Sequence, residues 1–175
     1  AIPFGLFVSR RQGVDLSKQG SGNTGAANAA RILGLKAGLT VLALDAAKGV
    51  LAVILAYFAL LPGVLLNLTK VVFGFIFRRF KGGKGIATTF GVVLALNPKV
   101  ALLSGLLWLG LVGLTRFSSV GSLAATAAMP LLFVYYSDPW EYVGFGFASA
   151  AFAFLRHSEN LERLTQGREL KIDEG

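Results

Sequence analysis

Apolar runs separated by short polar turns dominate the sequence, and their lengths predict membrane helices. Ala1 to Ser9 reads as the stub of a first helix whose front end is missing, and a polar, glycine-rich stretch follows from Arg10 to Lys36. Gly38 to Leu61 is long enough to span a bilayer with some tilt, and Pro62 with Gly63 breaks it. Val64 to Phe77 is shorter and ends at Arg78, Arg79 and a glycine loop. Ile86 to Leu96 covers only about 17 Å at the α-helical rise, against a hydrocarbon core of roughly 30 Å, so this element must dip in and stop. Asn97, Pro98 and Lys99 turn the chain into Val100 to Thr115. After Arg116, Val120 to Tyr136 crosses to Ser137, Asp138 and Pro139, and Trp140 to Leu155 is the last span. The pattern predicts an all-α integral membrane protein. Its form is a compact bundle of about seven membrane helices, the first truncated and the fourth short, in one membrane-embedded domain over residues 1–175.

Composition sharpens this reading. Apolar residues make up 54% of the chain and the mean hydropathy is +0.66, above the roughly 45 to 50% apolar content of soluble domains. The apolar start runs into Ser9, Arg10 and Arg11 with no charged segment before it, so it does not read as a signal peptide. Zero cysteines and one histidine exclude disulfides, cysteine-based metal sites and multi-histidine centres. The chemistry is then metal-free or uses a carboxylate-bound ion; no metal and no cofactor are expected.

The net charge of +8 comes from 17 basic and 9 acidic residues, unevenly placed. In a soluble chain nucleic acid would be the default partner. Here the basic residues flank apolar spans, so membrane lipid and the positive-inside bias account for them and no nucleic-acid partner is expected. Counting crossings with Ala1 outside puts Arg10 to Lys36, Arg78 to Lys84, Arg116 and the tail from Arg156 to Lys171 on one cytoplasmic face.

Three polar stretches carry candidate chemistry. In Phe80 to Gly91, FKGGKGIATTFG, the glycines Gly82, Gly83 and Gly85 leave backbone amides unobstructed, and Lys81 and Lys84 supply charge ahead of a helix N-terminus. That combination suits a phosphate. The bland alternative is a cluster of lysines snorkelling to headgroups, which has no need of backbone freedom. The second stretch contains Gly20-Ser21-Gly22-Asn23-Thr24-Gly25, formally GxGxxG, with Asp45 about 20 residues on. It is a decoy for dinucleotide binding: no strand precedes it, and Asp45 lies in an apolar span. Ser21, Asn23, Thr24, Asn28 and Arg31 crowd small donors and a guanidinium into the start of a helix, which suits an anion better than a flexible connector would. Asp45 and Lys48, three apart among Leu and Ala, favour structural pairing over substrate contact. The third stretch is the tail, where His157 follows directly on a membrane exit with Asn160 beside it at helical spacing. Arg116, Ser118, Ser119 and Ser122 form a hydroxyl-rich turn on the same face, readable as caps or as ligand donors.

Three motifs together resemble one family: KQGSGNTGAANAARILG at Lys18 to Gly34, FKGGKGIATTFG at Phe80 to Gly91, and LRHSENLERLTQGRE at Leu155 to Glu169. They are similar to the signature motifs of the bacterial acyl-phosphate glycerol-3-phosphate acyltransferase, the integral membrane PlsY family. Ile2-Pro3-Phe4-Gly5, Gly13-Val14-Asp15, Leu44-Asp45 with Lys48-Gly49, and Arg116-Phe117-Ser118-Ser119 extend the likeness over nearly the whole chain. The chain departs from the family pattern at Lys70 to Phe75, where the family has a Gly-His and a Phe-Pro, and at a shortened Pro62 to Asn67.

The resemblance implies transfer of a fatty acyl group from acyl phosphate to the 1-hydroxyl of glycerol 3-phosphate, giving lysophosphatidate and phosphate. Carried onto matching positions, it implies catalytic roles for His157, Ser21 and Asn160. It implies substrate binding by Arg31, Lys84 and Ser122, with Asn23, Lys81 and the glycines Gly82, Gly83 and Gly85 as companions. The expected setting is the bacterial inner (cell) membrane, multi-pass, with the site facing the cytoplasm. The oligomeric state is left open, a monomer included. The rival reading is a transporter or channel for a small phosphate-bearing anion, suggested by the incomplete fourth element. Acyl-CoA as donor is a narrower alternative within the enzyme class.

Overall fold

The computed structural model describes residues 3–58 and 83–174. Its helices are α1 (Phe4–Arg10), α2 (Ala26–Leu33), α3 (Leu35–Phe58), α4 (Ile86–Leu96), α5 (Pro98–Thr115), α6 (Ser118–Tyr135), α7 (Trp140–Arg156) and α8 (Ser158–Thr165), with a 3₁₀ turn at Leu16–Lys18. The expected element Val64 to Phe77 and its flanking turns lie outside the described residues, as do Lys81 and Gly82. Among the described residues three helices, α3, α5 and α6, are long and apolar enough to cross a membrane. The regular structure of the described residues is helical, the architecture of a multi-pass membrane protein. The fourth element has the predicted bounds, Ile86–Leu96, and stops after 11 residues. The last apolar helix, α7, runs for 17 residues with Glu141 in its first turn and Arg156 in its last, the arrangement that suits the helix dipole.

The chain divides into two compact units, residues 1–98 and 99–175. In the first, α2 and α3 form a helical hairpin. Leu16, Ala29 and Val41 are fully buried at its centre, with Val8, Ala26, Ile32 and Leu33 packed around them. The short α4 crosses α3 through small residues: a Cβ on Gly91 would stand 2.0 Å from the Ala46 carbonyl oxygen. Only a glycine lets the two backbones approach this closely, the same logic by which small residues line helix contacts in membranes. The pair Lys48 Nζ to Asp45 Oδ1, at 2.5 Å, lies on α3 at this crossing, and the Lys48 ammonium stands 5.7 Å from the ring centre of Phe4 in α1. Both charged groups are largely withdrawn from solvent, and each compensates the other's desolvation.

In the second unit, α6 packs along α7. Pro130 lies inside α6, and Gly146 of α7 fits against it, with a Cβ there falling 3.0 Å from Pro130 Cα. Phe133 and Tyr142 meet edge to face at 5.9 Å just beyond. Outside these seams the helices present Leu102, Leu106 and Leu109 on α5 and Leu51 and Leu55 on α3, exposed apolar side chains suited to hydrocarbon. The tail beyond α8 returns to the α5–α6 turn. Ile172 donates its N–H to the Arg116 carbonyl at 2.9 Å, and Arg116 pairs with Asp173.

Candidate active site

The first motif is organised by Asn28, which is buried on α2. Its Oδ1 accepts from the Ser21 backbone N–H at 3.0 Å and from Arg31 Nη1 at 3.3 Å; its Nδ2 donates to the carbonyls of Gln19 at 2.9 Å and Leu16 at 3.3 Å. One amide therefore fixes the position of Ser21 and the direction of the Arg31 guanidinium. Asn23 turns back on its own loop, its Oδ1 accepting from Gly25 N–H at 3.3 Å in an Asx turn. Thr24 Oγ1 is buried and has no hydrogen-bond partner among the described residues.

The second motif meets the first. A Cβ on Gly83 would stand 3.3 Å from Gly25 Cα, 3.4 Å from Gly25 N and 3.7 Å from Asn23 Oδ1. Backbone rests on backbone here, with no side chain between. Gly25 is the N-cap of α2 and Gly85 the N-cap of α4, and neither helix start has a side-chain cap. Gly85 holds φ +82°, a left-handed conformation that a side chain resists. Two uncapped helix N-termini thus come together next to Lys84, whereas Arg31, turned by Asn28, stands in the last turn of α2 and not at the helix start expected from the sequence. First-turn N–H groups and the positive ends of two helix dipoles make such a place receptive to an anion.

The third motif lies in the second unit. His157 is 3% exposed and stands between α7 and α8. Its Nδ1 is 2.7 Å from the Ala153 carbonyl oxygen. A carbonyl only accepts, so Nδ1 carries the proton and, in the neutral ring, Nε2 is the basic nitrogen. One turn on, Asn160 is buried and donates Nδ2 to Glu169 Oε1 at 2.5 Å. Ser122, also buried, donates to the Ser118 carbonyl at 2.7 Å and accepts from Trp108 Nε1 at 3.2 Å. Its proton is spent within its own helix, so donation to a ligand requires the hydroxyl to rotate.

Ser21, Asn23, Arg31, Gly83, Lys84 and Gly85 thus belong to the N-terminal unit, and Ser122, His157 and Asn160 to the C-terminal one. Two groups have roles that the sequence does not display. Asn28 reads from the sequence as one small donor among several and is in the structure the organiser of the loop. Glu169 enters the sequence analysis only as the end of the third motif, with no role, whereas the structure gives it three donors: Asn160 Nδ2, Ser119 Oγ at 2.8 Å and Arg163 Nε at 2.9 Å. The ending Gly167-Arg168-Glu169 could have signalled it, since a glycine after a helix marks a chain reversal.

The family model described as glycerol-3-phosphate acyltransferase matches residues 1–167. The chain belongs to this family. Among curated members, the glycerol-3-phosphate acyltransferase 2 of Moorella thermoacetica is 42% identical over 180 residues, covering 99% of this chain and 92% of the relative. The Aquifex aeolicus glycerol-3-phosphate acyltransferase is 39% identical over 180 residues, covering 97% and 91%. Two crystal structures of PlsY, an integral membrane glycerol 3-phosphate acyltransferase, share the fold. Its glycerol 3-phosphate form superposes with a TM-score of 0.85 at 38% identity, and its lysophosphatidic acid form with 0.83 at 37%, each covering 97% of this chain and 88% of the other. Membership decides between the enzyme and transporter readings in favour of the acyltransferase.

Proposed function

We propose that this chain acylates the 1-hydroxyl of glycerol 3-phosphate with a fatty acyl group taken from acyl phosphate, releasing lysophosphatidate and inorganic phosphate. The observation that carries the phosphate part of this reading is the contact of Gly83 with Gly25, which joins two uncapped helix N-termini next to Lys84, on the helix whose last turn carries Arg31. A substrate pair bearing two phosphates needs such a concentration of N–H groups and fixed cations to offset its own repulsion.

Acyl phosphate is a mixed anhydride, already activated, so no serine nucleophile and no nucleotide is required. The glycerol oxygen forms a bond to the acyl carbonyl carbon, the bond from that carbon to the phosphate oxygen breaks, and the bonding pair leaves on inorganic phosphate. The hydroxyl proton passes to His157 Nε2, with the substrate's own phosphate as the alternative acceptor. The Nδ1–H bond to Ala153 keeps that nitrogen basic and fixes the ring. Arg31, Lys84 and the glycine-loop amides hold phosphate, with Lys81, Gly82 and Asn23 beside them; Ser21 and Ser122 address carbonyl or phosphate oxygens, and Asn160 orients the acceptor. Orientation of two bound reactants is the main contribution.

The two units act as one acyltransferase domain over residues 1–175, in the bacterial inner membrane, with the site open to the cytoplasm. The motif order and the basic residues flanking the spans support this placement. Purified protein in one detergent, given glycerol 3-phosphate with either palmitoyl phosphate or palmitoyl-CoA, tests the proposal. Phosphate release and lysophosphatidate formation are expected with the first donor only; transfer from the thioester alone overturns the donor assignment.

A further inference from the structure

Glu169 is the most deeply withdrawn carboxylate of the tail, 5% exposed, and the chain makes a specific turn to put it there. After α8, Gly167 takes φ +66°, its N–H reaches the Leu164 carbonyl at 3.2 Å and the Arg168 N–H reaches the Arg163 carbonyl at 2.7 Å. This paired pattern with a left-handed glycine reverses the chain and lays Glu169 back against α8. Both carboxylate oxygens are then used. Oε1 accepts from Asn160 and from Ser119 in the first turn of α6, and Oε2 accepts from Arg163.

We infer that Glu169 is a positioning residue that fixes the amide of Asn160, with Ser119 in the first turn of the Ser122 helix and Arg163 as its other donors. An ionised carboxylate only accepts, so the –NH₂ of Asn160 must face Glu169 and the Oδ1 end must face elsewhere. A side-chain amide that could otherwise turn over is held in one sense. Ser119 lies one turn before Ser122, and Asn160 one turn after His157, so one buried group spans two elements that carry three of the motif residues. The tail beyond it is anchored at the same turn through Ile172 and Asp173 to Arg116. A carboxylate with three donors, one of them a guanidinium, offsets its own burial, whereas a neutral isostere cannot accept from all three.

This inference rests on the acyltransferase reading for what Asn160 does, and the test separates the two. Turnover of glycerol 3-phosphate and thermal melting in detergent are measured for the wild type, Glu169→Gln, Asn160→Ala and the double variant. Glu169→Gln is expected to lower kcat/KM by about tenfold or more while still melting cooperatively, and to have no further effect in the Asn160→Ala background. Losses that multiply in the double variant, or wild-type kinetics for Glu169→Gln, overturn it. Should Glu169→Gln not fold, Ser119→Ala removes a single donor: a severalfold loss confined to the Asn160 background supports the inference, and equal losses in both backgrounds overturn it. If the wild type transfers no acyl group, the functional reading alone fails. The melting shift induced by glycerol 3-phosphate then decides: a shift reduced in Glu169→Gln supports positioning, and an unchanged one overturns it.

Discussion

Gly49 of α3 lies so close to Thr88 of α4 that a Cβ on the glycine would stand 2.2 Å from the Thr88 carbonyl oxygen and 2.9 Å from Val92 N. The obstructing atoms are backbone and cannot swing aside. Gly49→Ala is therefore expected to cost about 1–3 kcal/mol by forcing the helices apart, and to lower activity as well, because Thr88 is one turn from Lys84. Unfolding in detergent checks the first effect, and an unchanged midpoint would mean that the crossing yields.

Asp45 and Lys48 compensate each other inside α3. Lys48→Met strands a carboxylate in an apolar segment and should destabilise by about 3–5 kcal/mol. The double change Asp45→Leu with Lys48→Met should recover most of that loss. A double variant no better than Lys48→Met would show that the pair does more than neutralise itself.

For His157, the fixed Nδ1–H leaves Nε2 to take a proton. His157→Ala should lower kcat by about 10²–10⁴-fold if it is the general base. Steady-state turnover equal to wild type would hand the proton to the substrate phosphate instead.

Lys84→Ala should act on substrate demand more than on the fold, because Lys84 lies in the loop that precedes α4. A rise in KM of about tenfold or more, equivalent to roughly 1.4 kcal/mol, is expected with the melting temperature little changed. A collapsed protein would mark Lys84 as structural.

Glu169 gives the protein an acid sensitivity with a defined sign. Burial is the largest single influence and would raise its carboxyl. The hydrogen bonds from Asn160, Arg163 and Ser119, with the Arg163 charge, together outweigh it and hold the group below the usual glutamate value. The unfolded chain then binds more protons over that interval. The stability due to Glu169 is complete above the unfolded value and is lost as pH falls through the lower, folded one. Melting of wild type against Glu169→Gln should show the wild-type advantage fading in that acid window; a constant difference there would refute the assignment.

Much of the fold was legible because breakers punctuate it. Gly85 and Asn97-Pro98 bracket α4, and its bounds are those read from the sequence. The apolar pattern starts α3 at Gly38 and the helix starts at Leu35, since Gly34 alone separates it from α2 and the polar Lys36 masks the boundary. The chemistry was legible as residue types in motifs, through Ser21, Lys84 and His157. Contacts made across the chain were not: nothing local links Trp108 to Ser122, or Glu169 to Ser119 fifty residues away. Nor could spacing tell that the Ser122 proton is already engaged, or that Asn28 aims Arg31.

The interlock of Pro130 with Gly146 has a mechanical meaning. A ring on one helix seated in the notch of its neighbour sets a single height at which α6 and α7 can register. When the surrounding lipid thickens or thins, such a pair can lean together but cannot slip lengthwise. Cross-linking yields between cysteines placed along this seam should accordingly stay constant from short-chain to long-chain lipids.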